Sequence, residues 1–284
     1  MLDFFSGLIG SFPYDRLSHV QSTTSFGGME NPTAIFYDAD AYRRRGVREL
    51  TVAHETAHQW FGDAVTQDDW HHLWLSEGFA TYFAALWLRH AEGDSAFRAE
   101  MLRRAQAVYA SKATERPILD TLATDLMGLL NSNNYPKGAW VLHTLRGLVG
   151  DSAFTAGIRD WYRTYRDSSA LSADFVQGMS RAAGQDLEWY FRQALLQPGY
   201  PRLEIDQRLE GRRLTLTIRQ KQPPAWGTFR MPGLVLVLDG RRVPVNVNGP
   251  ETTVLVENVR AVAREIVVDP DLWWLVDLAP VPAR

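Results

Sequence analysis

The chain has 284 residues, 45% of them apolar, with ten tryptophans and no cysteine. That length supports one large domain or two ordinary ones with a sizeable core, and the missing cysteines exclude disulfides and thiolate metal ligands. A formal charge of −3, with no basic run beyond Arg43-Arg44-Arg45, excludes the electrostatic footprint of a nucleic-acid binder.

Met1 to Gly10 has neither a basic leader nor a cleavage site, so it reads as a helix inside a domain and not as a signal peptide. Alternation from Leu17 to Ser22 predicts a short strand, which makes His19 a strand histidine. Phe26-Gly27-Gly28-Met29-Glu30-Asn31-Pro32 follows, and Ala34 to Tyr37 predicts the next strand. A glycine pair beside a sheet edge lets another backbone approach, and an extended peptide is the natural visitor.

From Val47 the period becomes helical, with Leu50, Ala53, Ala57 and Trp60/Phe61 on the buried stripe and Gly62 as a C-terminal stop. This helix carries His54-Glu55-Thr56-Ala57-His58. Residues i and i+4 share one helix face, so His54 and His58 can point at a single ion, and Glu55, turned by about 100°, can reach a water bound to it. That is the zinc-protease reading of His-Glu-x-x-His. The adjacent pair His71-His72 diverges on any regular element and predicts one surface and one structural histidine.

Leu73 to Leu88 is the most membrane-like stretch, but it is too short to span a bilayer and contains Ser76, Glu77, Gly78 and Thr81. It predicts a helix buried on nearly all sides, with Ser76 as a candidate N-cap. Glu77, nineteen residues after His58 and flanked by apolar side chains, must protonate or find a cation. A third ligand position on zinc supplies one.

Further helices are expected from Asp94 to Lys112, after a polar Asn131-to-Asn134 loop at Tyr135-Pro136-Lys137-Gly138, and over residues 151–166, 172–183 and 186–196. Proline suits a first helical turn, which puts Tyr135 at the rim of a rigid element, facing either packing or a cleft. After Gln197-Pro198-Gly199 the period changes to two. Arg213 to Arg219 alternates, Val243, Val245 and Val247 share a face, and Asp239-Gly240 and Asn248-Gly249 read as hairpin turns. The expected fold is therefore α+β, a mainly helical domain over residues 1–197 followed by a small all-β sandwich over residues 198–284.

Gly27-Gly28-Met29-Glu30-Asn31, His54-Glu55-Thr56-Ala57-His58, Glu77 and Tyr135-Pro136-Lys137-Gly138, all in this order, resemble the zinc aminopeptidases of the aminopeptidase N and leukotriene hydrolase type. The resemblance covers about residues 11–197 and implies a thermolysin-like catalytic domain. It implies one Zn2+ per chain on His54, His58 and Glu77, with Glu55 as general base and Tyr135 as donor to the tetrahedral oxyanion. Gly27, Gly28, Met29 and Glu30 would bind substrate, with Glu30 on the free α-ammonium. Peptides with a free amino terminus would be the substrates.

Family members carry a large β-rich domain before the catalytic one, so the resemblance also implies an N-terminally truncated chain whose missing domain walls the first side-chain pocket. Two other outcomes stay open: a fragment that binds zinc without turnover, and an open-cleft endopeptidase. The chain is expected to be soluble, and its compartment is unassigned.

Overall fold

The structure, a computed structural model, describes residues 1–279. It divides into two compact units, one formed by Met1–Ala113 with Ile118–Ala194 and the other by Thr114–Pro117 with the chain from Leu195 onward.

The first unit opens with α1 (Leu2–Leu8) and a three-stranded sheet of β1 (Ser18–Ser22), β2 (Gly28–Met29) and β3 (Ala34–Asp38). Strand β3 is central, parallel to β1 and antiparallel to β2, so Gly28-Met29 forms a sheet edge. His19 lies on β1 as expected and meets the Tyr37 hydroxyl at 2.9 Å.

Next come α2 (Ala39–Arg43), α3 (Glu49–His58), β4 (Val65–Gln67), α4 (Trp74–Glu92) and α5 (Asp94–Tyr109). The unit closes with α6 (Gly138–Val149), α7 (Asp151–Tyr165), β5 (Ser168–Ala170), α8 (Ser172–Ala183) and α9 (Glu188–Phe191), which runs on as a π-helical turn to Leu196. Helix α3 ends at His58, four residues before the expected stop at Gly62. Helix α5 begins at Asp94 with Gly93, not Asp94, in the N-cap position, and the Asp94 carboxylate pairs with Arg89.

Helix α4 is the core of this unit. Every residue from Trp74 to Leu86 is buried, as its nearly continuous apolar run predicts, and the helix packs against α3, α5 and α6. Phe61 meets Phe79 and Phe83 at ring-centroid distances of 4.9 and 4.8 Å, and Phe79 meets Phe175 at 5.0 Å. Each such buried ring contributes roughly 1.5–3 kcal/mol of hydrophobic stabilisation, and together they hold α3 and α4 in fixed register.

Ser76 is not the cap of α4. A 3₁₀ turn at Trp70–His72 leads directly into the helix, whose N-cap is Leu73, so Ser76 lies within the helix and faces inward. The stretch read as a polar loop is also largely buried: Asn133 and Asn134 are 2% and 1% exposed and donate to the carbonyls of Ala113 and Leu129. They belong to a π-helical turn, Asn133–Lys137, that contains Pro136, while α6 proper starts at Gly138.

The second unit holds β6 (Arg202–Glu210), β7 (Arg213–Gln220), β8 (Met231–Leu238), β9 (Arg241–Val247), β10 (Glu251–Glu257), β11 (Ile266–Val268) and β12 (Asp277–Leu278). One sheet has the order β10-β7-β6-β12 and another β11-β8-β9. Leu214, Leu216 and Ile218 are buried on one face of β7, and Val243, Val245 and Val247 on one face of β9. Asp239 and Gly240 both have positive φ, as a tight β8–β9 hairpin requires.

Asn248-Gly249 is not a hairpin turn. It carries the chain from β9 in one sheet to β10 in the other. Pro250 follows, and the Gly249 and Pro250 carbonyls are taken by the Gln220 side chain and backbone instead of by a β9–β10 ladder. Among the described residues, no helix is long and apolar enough to cross a membrane.

Candidate active site

The apolar face of α3 packs on α4, which turns His54 and His58 toward Glu77. His54 Nε2 and His58 Nε2 lie 3.0 Å apart, and Glu77 Oε2 lies 3.2 Å from each. Zinc bonds of about 2.0–2.1 Å to nitrogen and oxygen around a tetrahedral centre separate donors by roughly 3.3 Å, so this triangle fits the ion.

Hydrogen bonding behind the donors supports the fit. His58 Nδ1 is 3.0 Å from the Phe61 carbonyl oxygen and 3.0 Å from Ser76 Oγ. A carbonyl only accepts, so Nδ1 carries the proton and Nε2 presents its lone pair to the centre. His54 Nδ1 has Thr81 Oγ1 at 3.4 Å, and Tyr135 donates its hydroxyl to Glu77 Oε1 at 2.7 Å.

The electrostatics agree with the geometry. Burial opposes a charge on both His58 and Glu77, yet their mutual attraction prevails. The His58 pKa is lifted to about 10, and Glu77 is held well below the usual carboxylate range. The buried Glu77 carboxylate needs one positive partner: a proton on His58 Nε2 and a metal ion compete for that place, and only the metal uses the Nε2 lone pair.

Glu55, Glu30 and His58 also converge, with one donor atom of each within 4.8 Å of the others. Glu55 is 6% exposed. Its pKa is raised by burial, which His54 and His58 partly offset and the carboxylates of Glu30 and Glu77 reinforce. Asp63 is pushed up to about 8, mainly by burial, against the attraction of His58 and with repulsion from Glu30 and Glu55.

The nine expected site residues, from Gly27 to Glu30, His54, Glu55, His58, Glu77 and Tyr135, all line one cavity of about 510 Å³ together with Phe26, Trp70, Leu73, Met127 and Leu130. His71 and His72 stand apart from it. His71 bridges Asp69 and the Ala123 carbonyl, while His72 Nδ1 meets Ser172 Oγ at 2.7 Å.

Gly28 has a closer neighbour than the expected peptide backbone. A Cβ there would lie 2.3 Å from Glu55 Oε1 and 2.4 Å from its Cδ, so the glycine makes room for the glutamate itself. The obstructing atoms end a flexible side chain, so Gly28→Ala should leave the melting temperature nearly unchanged while displacing Glu55. We expect kcat/KM toward a peptide amide to fall by about a hundredfold with zinc content intact. Unchanged activity would mean that Glu55 tolerates the displacement.

Two contributing residues escape motif reading. Ser76 orients His58, and Gln59, fully buried, bonds the segment that carries Glu30. The only sequence signal for either is its place beside an expected ligand.

Glutamyl aminopeptidase of Homo sapiens is 31% identical over 217 residues, covering 70% of this chain and 23% of that protein. Aminopeptidase N of Streptomyces lividans is 28% identical over 265 residues, covering 80% of this chain and 30% of that protein. The chain thus spans less than a third of the length of these relatives.

Among solved structures, Legionella pneumophila aminopeptidase A in complex with aspartic acid superposes with a TM-score of 0.80 at 18% identity, covering 99% of this chain and 34% of that one, a likeness of fold. A mutant M1 zinc metallopeptidase of Deinococcus radiodurans bound to a Tyr-Ser-Ala substrate gives 0.60 at 27% identity, over 69% of this chain and 42% of that one. Residues 1–193 match the peptidase family M1 domain, and the chain belongs to that family.

Proposed function

We propose that the chain carries the catalytic site of a zinc-dependent aminopeptidase, with one zinc ion held by His54, His58 and Glu77. The observation that carries this reading is the 3.0–3.2 Å triangle of donors with Glu55 and Glu30 on the same cavity. We read the first unit as thermolysin-like and the second as a small sandwich, with the boundary near residue 197. Zinc, when bound, supplies a Lewis acid that polarises the scissile carbonyl and acidifies water.

The protein's own groups do the rest. Glu55 takes a proton from the attacking water and returns it to the leaving amine. Tyr135, whose phenol is kept protonated by burial and by Glu77, remains a donor and can turn from Glu77 to the developing oxyanion. Glu30 pairs with the free α-ammonium, which confines cleavage to the first peptide bond. The β2 edge offers main-chain partners to an extended substrate.

We read this cavity as favouring an apolar first residue over glutamate. Its described lining includes Glu30, Glu55 and Glu77 and no lysine or arginine, so outside the His54–His58 metal site it offers a substrate carboxylate side chain no fixed cation. Phe26, Met29, Trp70, Met127 and Leu130 suit an apolar neighbour.

The test is hydrolysis of fluorogenic aminoacyl amides by the zinc-loaded chain. Leucyl amide should be cleaved at least about tenfold more efficiently than glutamyl amide, and the amino-blocked leucyl amide should resist. Zinc bound at one per chain without hydrolysis would instead identify a binding fragment. Cleavage of blocked peptides would identify an endopeptidase.

A further inference from the structure

The side chain directly after the second histidine is a fully buried amide with every polar group engaged. Gln59 Oε1 accepts the Thr33 backbone N–H at 2.9 Å. Because an N–H cannot donate to an amide nitrogen, that bond fixes which end of the amide is which. Its Nε2 then donates to the Glu30 carbonyl at 2.7 Å and to Asp63 Oδ2 at 2.8 Å. Both amide hydrogens are used, and the residue is 0% exposed.

The two backbone partners bracket the turn Glu30-Asn31-Pro32-Thr33, which ends the Glu30 segment and starts β3. Just past it the Ala34 N–H returns to the Asn31 carbonyl at 3.0 Å, and within it Thr33 has φ of 68°. A β-branched residue in the left-handed region is strained and persists where the surroundings over-determine it. Gln59 contributes to that restraint from the end of α3, one residue beyond His58, alongside the Ser18 N–H that donates to the Thr33 carbonyl at 2.8 Å.

We propose that Gln59 is a positioning residue for amine recognition: it ties the Glu30 turn to the helix bearing His54 and His58 and so sets the reach between amine anchor and metal centre. That reach decides which peptide bond is presented, and misplacement by about 1 Å can cost on the order of a hundredfold in rate. The proposal rests on the reading of Glu30 as the amine anchor.

Calorimetry on the zinc-loaded chain with two ligands, leucine hydroxamate and its des-amino analogue 4-methylpentanohydroxamate, separates the roles. The parent should prefer the amine-bearing ligand by roughly 10- to 100-fold, the range of a charge-assisted hydrogen bond. Glu30→Ala should abolish that preference; if it does not, the anchor reading itself fails. With the anchor reading upheld, Gln59→Leu should reduce the preference about tenfold while zinc stoichiometry and des-amino affinity hold.

Gln59→Met keeps the length of the side chain but removes every one of these bonds, and it should do the same. A full preference in either variant overturns the proposal. So does an equal loss for both ligands, or failure of both variants to fold, since the amide would then serve the helix or the fold as a whole.

Discussion

Glu55→Gln is expected to lower turnover of a leucyl amide by about a thousandfold while the protein keeps its zinc. Glutamine preserves the length and shape of the side chain, so it fits the same space beneath Gly28, where no Cβ interferes. It also preserves a hydrogen-bond acceptor for water. What it removes is basicity, because an amide cannot take the proton that the attacking water must lose.

The measurement pairs zinc content with kcat. It also tests the ligand assignment, since Glu30, Glu55 and His58 form a second convergent group within 4.8 Å. Loss of zinc with the activity would move Glu55 into the ligand set, and retained turnover would remove it from the chemistry.

Tyr135→Phe is expected to lower kcat by about a hundredfold or more with little change in KM, the signature of an interaction made in the transition state. The ring itself should stay in place. It stacks on His54, with centroids 6.0 Å apart and planes at 14°. The lost hydroxyl also deprives Glu77 Oε1 of a donor at 2.7 Å. Removing such a partner of a metal ligand typically costs about 10- to 100-fold in metal affinity, so kcat must be read at saturating zinc. An unchanged kcat there would return Tyr135 to a packing role.

The donors were legible because helices are periodic. Four-residue spacing aims His54 and His58 together, and the apolar run around Glu77 announces a buried charge that needs a partner. The buried alternation of β7 and β9 was legible for the same reason.

What escaped depends on long-range bonds from side chain to backbone, which leave no period. A serine near a helix start reads as a cap, and nothing local reveals that the preceding 3₁₀ turn extends the helix and swings Ser76 onto His58. Gln59 reaches partners 26 and 29 positions upstream. Asn133 and Asn134 read as solvated because sequence does not display the carbonyls that bury them. Asn248-Gly249 has hairpin composition, but the partner carbonyls are claimed by Gln220.

Helix α4, the core of the first unit, crosses the start of α6 at a pair of glycines. A Cβ on Gly78 would lie 3.0 Å from the Gly138 Cα and carbonyl carbon, and one on Gly138 would lie 2.9 Å from Gly78 Cα. Gly78 follows Glu77, and Gly138 comes three residues after Tyr135, so bare backbone against bare backbone sets the gap between carboxylate and phenol. For a designer grafting this site, the specification is therefore not a list of side chains. A recipient scaffold must offer two main chains that touch, and one that matches every rotamer but spaces its helices by an ordinary pair of alanines would seat the ligands and leave the phenol out of reach.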